Sequence, residues 1–485
     1  MYYKLCEPYR LRGWDGLPFC LASPHVLTPR LLSRDEFALL LCCDGVTEFG
    51  DNSDENVDII IRRMLHDGVI SASEARSQLK DVQKFRKHPN GHIHGVIWSI
   101  TGDCNLRCKH CYMSGGRNKY TNLTKAQLFD MIDQLEEAGV MEVELSGGEP
   151  QMSPYLWELV DELLRRNFVI SHFHTNAMLL DEEFFAKMKK RNLIWMFDSS
   201  LDGVGTHDDL RGTPGSEEVA IAAFRKIRER GYPLLVNSKF HADSVHAALD
   251  TYELMKDIGV TAWKVSFVFP IGEAVSNLPS TPAIFCDEYL ELLKRYKGDG
   301  NPFELNLLEG VVKGHRGGSF AFWENDKEDP FNQQRVSCGL CRNRPYILPD
   351  STLVPCIGWV STPVESLLPK LTRTPLSAIY ADPASQFRKL VGIKVSDITE
   401  TNVECCECEY KLTCGGGCRA DALATNHDYD AIYKRGMMIC GVYKSGFMKK
   451  VQEICGDRSS AVHRGPMDIE NKKQRLFPEG TDYTD

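Results

Sequence analysis

The chain has 485 residues, 42% hydrophobic and 26% charged, the balance of an ordinary soluble globular protein with room for roughly two to four domains. Its formal net charge is −10, and it has no basic block or basic patch with interleaved aromatics, which argues against nucleic acid as a partner. The N-terminal residues carry charges where a signal peptide needs an apolar core, and no uninterrupted apolar run is long enough to span a membrane. The expectation is therefore a cytoplasmic location and no membrane partner.

The first 85 residues read as a unit of their own. Arg34 to Gly45 has helical periodicity closed by a glycine, an apolar helix is centred on 57–65, and Gly68-Val69-Ile70 suggests a short strand. Helix, turn, helix and strand predict a small winged-helix-like domain over 1–85. The run Leu40-Leu41-Cys42-Cys43-Asp44-Gly45-Val46-Thr47-Glu48 is similar to the precursor-recognition domains fused to peptide-modifying enzymes. That resemblance implies a ribosomal precursor peptide as partner, its leader added as a strand to an open sheet edge. A regulatory or structural cap is the competing reading.

Residues 86–330 alternate short apolar runs with helical patterns, which predicts repeated βα units and a parallel sheet. Six strands are expected at 96–100, 142–146, 169–174, 195–201, 234–240 and 263–269. Right-handed crossovers curl such a sheet into a partial (β/α)6 TIM-like barrel, so the fold class is α/β. Reactive loops then lie beyond the C-terminal ends of the strands.

Cys104, Cys108 and Cys111 occupy such a loop, directly after the first strand, in the spacing Cys-x3-Cys-x2-Cys. Three soft ligands suit a [4Fe–4S] cluster with one iron left open, better than a zinc knuckle. The spacing resembles the radical S-adenosylmethionine superfamily, in which the methionine part of the cosubstrate chelates the open iron and cleavage gives a 5′-deoxyadenosyl radical. By that resemblance Gly147, Gly148, Glu149 and Pro150 hold the methionine amine, and His110 packs near the adenine. The same resemblance places Asn176 at a further strand end, where Ala177 replaces the usual glycine, and implies that Ser200 and Arg211 contact the cosubstrate's carboxylate or ribose. Two glycines also let backbone approach a ligand closely. Asp202, Asp208 and Asp209 are acid/base candidates by location alone; catalytic residues are otherwise unassigned.

Of the 18 cysteines, seven (Cys6, Cys20, Cys42, Cys43, Cys286, Cys406 and Cys455) are scattered and eleven are patterned. Beyond the first three, the pattern comprises Cys338, Cys341, Cys356, Cys405, Cys408, Cys414, Cys418 and Cys440. This constellation resembles the SPASM extension with its two auxiliary [4Fe–4S] clusters, with Ser351 where the family has glycine. The resemblance assigns Cys338, Cys341, Cys356 and Cys418 to one cluster, and Cys405, Cys408, Cys414 and Cys440 to the other. Either Cys338 or Cys341 alone satisfies the family spacing, and one open iron there would bind a substrate thiolate. A zinc ribbon does not account for all eight. The extension spans 331–455, and 456–485 reads as a polar tail.

The sequence thus predicts a radical S-adenosylmethionine/SPASM peptide maturase with three [4Fe–4S] clusters, reduced by a flavodoxin or ferredoxin. Thioether formation, as in sactipeptides and ranthipeptides, is the favoured outcome. A carbon–carbon crosslink and formylglycine formation in a sulfatase are alternatives, as is an iron–sulfur sensor without turnover.

Overall fold

The computed structural model describes residues 1–50, 54–276, 282–322, 332–426 and 428–456. The front region carries more strand than the sequence suggested. Strand β1 (Tyr2–Leu5) is followed by a meander of β2 (Arg10–Trp14), β3 (Leu17–Ser23) and β4 (Val26–Leu31). Helix α1 (Arg34–Cys42) starts at a capping box between Ser33 and Glu36. Where a turn was expected between helices, Asp44–Glu48 forms strand β5; α2 (Glu55–His66) and β6 (Ile70–Ser73) follow. β1 lies between β5 and β6, both antiparallel to it, and β7 (Arg86–Lys87) pairs with β2, so the front sheets extend to residue 87. Leu5, Leu21, Phe37, Leu40, Ile61 and Met64 belong to a core separate from that of the barrel.

The barrel begins with β8 (Gly95–Ser99) and α3 (Lys125–Glu137), then β9 (Glu142–Ser146), α4 (Leu156–Arg165), β10 (Val169–His174) and α5 (Glu182–Lys190). It continues through β11 (Met196–Ser200), α6 (His207–Arg211), α7 (Ser216–Glu229), β12 (Leu234–Phe240), α8 (Ala248–Ile258) and β13 (Ala262–Phe267). All six expected strands are present and parallel. Beyond α9 (Pro282–Gly298), an unexpected seventh parallel strand, β14 (Glu304–Leu307), precedes the antiparallel β15 (Val312–His315) and β16 (Ser319–Phe322). After α10 (Gly339–Asn343), the hairpin β17 (Tyr346–Ile347) and β18 (Leu353–Val354) joins the other side of the sheet beside β8. The sheet therefore runs from β16 to β18 without closing among the described strands, as a partial barrel does.

The front region docks on the N-terminal ends of the barrel strands. Arg10 donates to the Asn167 carbonyl at 2.7 Å, His88 Nδ1 lies 2.8 Å from the Glu137 carbonyl, and Asn90 donates to the Ala138 carbonyl at 3.0 Å. These carbonyls lie at the C-terminal end of α3, which leads into β9, and in the turn before β10. Trp14, Leu17, Cys20 and Ala22 close over Met141 in one small apolar cluster.

His92 lies in this joint, its ring edge-on to Trp14 at 4.6 Å. Neither ring nitrogen has a hydrogen-bond partner among the described residues. Burial, with His94 and Arg342 nearby, pushes its pKa down to about 3. The unfolded chain thus takes up this proton from about pH 6.5 downward and the folded chain only near 3, so stability falls with pH through that window. The expected loss is about 1.4 kcal/mol per pH unit. His92→Leu removes two unpartnered polar atoms, so it should leave stability at neutral pH unchanged or higher and flatten the dependence. Thermal unfolding of parent and variant between about pH 7 and 4 measures this; equal slopes would remove His92 as the cause.

Candidate active site and auxiliary cysteine groups

The loop bearing Cys104, Cys108 and Cys111 leaves the C-terminal end of β8 and is fastened to the end of β9. Ile100 N donates to Ser146 O at 3.0 Å, Gly148 N to Thr101 O at 2.8 Å, and Glu149 N to Asp103 O at 2.8 Å. This contact supplies a reason for the glycines that the sequence pattern did not disclose. A Cβ on Gly148 would stand 2.3 Å from Asp103 O, and one on Gly147 would stand 2.9 Å from Thr101 O, so the close approach is to the cysteine loop itself. Pro150 opens a single 3-10 turn, Pro150–Met152.

Glu149 is fully buried and stitches this turn to the end of β10. Its carboxylate accepts from Thr175 Oγ1 at 3.0 Å, Asn176 N at 2.8 Å and Gln151 N at 3.3 Å. Burial still outweighs these donors and pushes its pKa up to about 7. Asn176 Nδ2 in turn reaches Asn105 Oδ1 at 2.7 Å and Cys104 Sγ at 3.8 Å. Strand ends β8, β9 and β10 thus meet around the first thiol.

Each thiol has a donor beside it. Cys104 Sγ accepts from Leu106 N at 3.4 Å, Cys111 Sγ from Gly115 N at 3.2 Å, and Cys108 Sγ from Arg211 Nη1 at 3.7 Å. A Cβ on Gly115 would lie 3.3 Å from Cys104 Cβ and 3.7 Å from Cys111 Sγ, so these two thiols flank one glycine. Burial pushes the Cys104 thiol up to about 11, and Cys108, Glu149 and Cys111 add to the rise. Cys108 is raised too, chiefly by burial. Three soft donors, of which Cys104 and Cys108 resist carrying charge alone, suit a metal group that supplies positive charge.

Arg211 and Asp202 lie beside Cys108. Arg211 Nη2 lies 2.6 Å from Asp202 Oδ2, and His110 Nε2 and His207 Nδ1 lie 3.7 and 3.8 Å from the same oxygen. Burial opposes the Asp202 charge, but Arg211, His110 and His207 hold its pKa at about 2. Burial lowers His110 to about 4, so its ring is neutral and its Nδ1 has no hydrogen-bond partner among the described residues. Arg211 Nε is likewise buried without one. Buried unpartnered donors beside a thiol triad fit a polar cosubstrate bound against them. Ser200 closes β11 in register with Asn237 of β12. Of the acid/base candidates, Asp208 caps α7 through Gly215 N, Ser216 Oγ and Glu217 N at 2.6–2.7 Å, and Asp209 pairs with Lys109 at 2.5 Å. Both are structural groups, and Asp202 is bound up in its own ion cluster.

The sequence pattern had not pointed to the inner face of the barrel. Glu144, His174, Asp198 and Lys264 alternate with core residues along their strands and meet one another: His174 Nε2 to Glu144 at 2.8 Å, His174 Nδ1 to Asp198 at 3.6 Å, Lys264 to Asp198 at 3.7 Å. Ligand atoms of Glu142, Glu144 and His172 lie within 4.8 Å of one another, but the cation there is already Arg344, which pairs with both glutamates.

The remaining patterned cysteines gather in two groups of four. The Cys341 thiol is hydrogen-bonded to those of Cys338 and Cys356, which raises it; burial lifts Cys418 to about 12, with Cys356 and Cys338 adding to it. Burial and the nearby thiols of Cys440, Cys405 and Cys408 raise Cys414 to about 12. Among the described residues no cysteine forms a disulfide. Cys406 turns away and donates to the Thr399 carbonyl at 3.3 Å. In β17, which follows Cys341 in the chain, the Tyr346 hydroxyl bonds to Ser99 Oγ at 2.5 Å and Tyr112 OH at 3.2 Å, tying that strand to the first loop.

Both departures from the family pattern fall on left-handed backbone: φ is +64° at Ala177 and +70° at Ser351. Ala177→Gly relieves that conformation and should stabilise the protein by about 0.5–1 kcal/mol. Ser351 Oγ bonds to Thr372 Oγ1 at 2.9 Å, so Ser351→Gly loses a contact and should gain nothing. Denaturant midpoints of the two variants test the contrast; destabilisation by Ala177→Gly would contradict it.

A parallel partial barrel with a thiol triad beyond its first strand is the arrangement of radical S-adenosylmethionine enzymes, and residues 98–255 match the family model of the Radical SAM superfamily. Residues 98–255 of the chain thus form a Radical SAM domain. It is 27% identical over 366 residues to the AdoMet-dependent heme synthase of Methanosarcina barkeri, covering 69% of this chain and 93% of that one. It is 34% identical over 139 residues to the mycofactocin maturase MftC of Mycobacterium tuberculosis, or 28% of this chain and 35% of the relative. The crystal structure of Streptococcus suis SuiB bound to precursor peptide SuiA shares the fold, with TM-score 0.62 and 14% identity, over 89% of this chain and 98% of that one. No described helix is long and apolar enough to cross a membrane.

Proposed function

We propose that the protein modifies a ribosomally made precursor peptide, held by its leader on the front region, by forming a thioether between a cysteine sulfur and a carbon of another residue. The observation that carries this reading is the front region, two sheets and two helices with a core of their own beside a radical S-adenosylmethionine barrel. The leader adds to an edge of the β5-β1-β6 sheet. Fold likeness to SuiB across most of the chain supports it.

When bound, a [4Fe–4S] cluster with S-adenosylmethionine supplies a 5′-deoxyadenosyl radical. Cys104, Cys108 and Cys111 hold the cluster, and the Gly147–Pro150 turn receives the cosubstrate's amine beside the Glu149 carboxylate. Arg211 Nε and Ser200 bind its carboxylate or ribose, Asn176 lines the same pocket, and the neutral His110 ring lies by the adenine. Cys338, Cys341, Cys356 and Cys418 hold one auxiliary cluster, and Cys405, Cys408, Cys414 and Cys440 the other. The electron donor is a flavodoxin or ferredoxin, and the compartment is the cytoplasm. The enzyme comprises a front region to about residue 87, the barrel, and a two-cluster extension.

A tetrapyrrole substrate is the second reading, favoured by the 93% coverage of the heme synthase. Against it, the inner-face cations are each paired: Lys264 with Asp198, Lys239 with Glu309, and Arg344 with Glu142 and Glu144. The anionic side chains of a porphyrin would have to displace those carboxylates. Anaerobic incubation with short cysteine-rich peptides from neighbouring reading frames tests the proposal. A thioether removes a pair of hydrogens per bridge and protects one cysteine from alkylation. A crosslinked product whose cysteines all alkylate would establish carbon–carbon bonding instead, and turnover of an iron porphyrin with peptide untouched would overturn the peptide reading.

A further inference from the structure

Arg211 is held more firmly than cosubstrate binding alone requires. It ends α6, where Gly212 turns the chain at φ +67°. A Cβ on Gly212 would meet Arg107 O at 3.0 Å, and Lys109 N donates to Leu210 O at 2.9 Å, so α6 is fastened to the cysteine loop on both sides of Cys108. The guanidinium is then fixed at two points, Nη1 at 3.7 Å from Cys108 Sγ and Nη2 at 2.6 Å from Asp202 Oδ2. Asp202 is itself immobilised: Lys239 N donates to its other oxygen at 2.9 Å, and its own N–H bonds to His207 Nδ1 at 3.0 Å. Its side chain is 1% exposed and that of Arg211 is 12% exposed.

We infer that Arg211, aimed by Asp202, sets the reduction potential of the cluster held by Cys104, Cys108 and Cys111. This rests on the assignment of that cluster to the thiol triad. Reduction adds one negative charge to the cluster and its thiolates. A fixed cation hydrogen-bonded to one of those sulfurs favours the reduced form and raises the potential. The low dielectric of a buried site strengthens the effect. Asp202 lies one group further from the sulfur and offsets part of it, so the two residues act with opposite sign. The arrangement recurs at the second auxiliary group, where Arg435 Nη1 lies 3.6 Å from Cys440 Sγ and Nη2 lies 3.1 Å from Glu404. Arg211 thereby carries two duties: Nη1 and Nη2 toward the cluster environment, and Nε toward the cosubstrate.

The test is a redox titration of the reconstituted full-length protein followed by electron paramagnetic resonance without cosubstrate. The signal is assigned by difference from a protein in which Cys104, Cys108 and Cys111 are all changed to Ala; were that difference empty, the cluster assignment itself would fail. Arg211→Met should lower the one-electron reduction equilibrium about tenfold, equivalent to about 59 mV. Arg211→Lys, which keeps the charge, should stay near the parent. Asp202→Asn should shift the potential upward. Opposite shifts from Arg211→Met and from Asp202→Asn, at parental iron content, support the inference, because a structural defect would not reverse sign. Shifts in one direction, or none, would overturn it. Should Arg211→Met fail to hold iron, Asp202→Asn decides: an unmoved or lowered potential there rejects the proposal.

Discussion

Gly148→Ala is expected to abolish cosubstrate cleavage, although alanine adds a single methyl group. That methyl would stand 2.3 Å from Asp103 O and 2.7 Å from Asp103 C, and the loop carrying the first thiol must move to admit it. Overpacking of this kind costs about 1–3 kcal/mol, and displacement of a reacting group by an ångström costs about 100-fold in rate. Iron bound at Cys104, Cys108 and Cys111 should fall, and 5′-deoxyadenosine formation should drop by at least that factor. Gly147→Ala, with 2.9 Å to Thr101 O, should be milder. A Gly148→Ala enzyme that cleaves at the parental rate would show that the contact between turn and loop is dispensable.

The second large effect concerns Cys338 and Cys341. Sequence spacing admits either one as a ligand, whereas in the fold both thiols lie with Cys356, and Cys418 completes the set. Each single Cys→Ala variant should therefore lose the iron of that group while the Cys405-Cys440 group keeps its own. Normal iron in one of the two would leave the group with three protein ligands and restore direct coordination of a substrate thiolate.

The barrel was legible because its strands are short β-branched and aromatic runs separated by amphipathic helices with glycine stops. Its inner face is marked in the sequence too. Parallel strands covered on both faces usually read as continuous apolar runs. Here Glu142, Glu144 and Ser146, then His172 and His174, then Asp198 and Ser200 stand at alternate positions of their strands, which marks a polar inner face. The front strands were obscured for a different reason. Arg10 and Arg12 look like surface residues but are buried, and Pro18 and Pro29 sit where proline argues against strand. Ala177 and Ser351 replace the family glycine while keeping a left-handed backbone, so composition there did not report conformation. The partners of Arg211 were beyond sequence, since Asp202 and Cys108 reach it only through the way α6 is fastened to the cysteine loop.

If the front region holds the substrate's leader as proposed, its seating on the N-terminal ends of the strands sets a minimum reach for that substrate. The thiol triad lies beyond the opposite ends, and a five-residue strand such as β8 spans about 17 Å. On the proposed reading, a peptide held by the front region at those ends would have to cover at least that height, roughly five or six extended residues, before its first modifiable position meets the radical. Residues nearer the anchor than this are out of range whatever their chemistry. The barrel's height would then act as a ruler, sparing the leader and selecting the modified position by distance along the chain as well as by side chain.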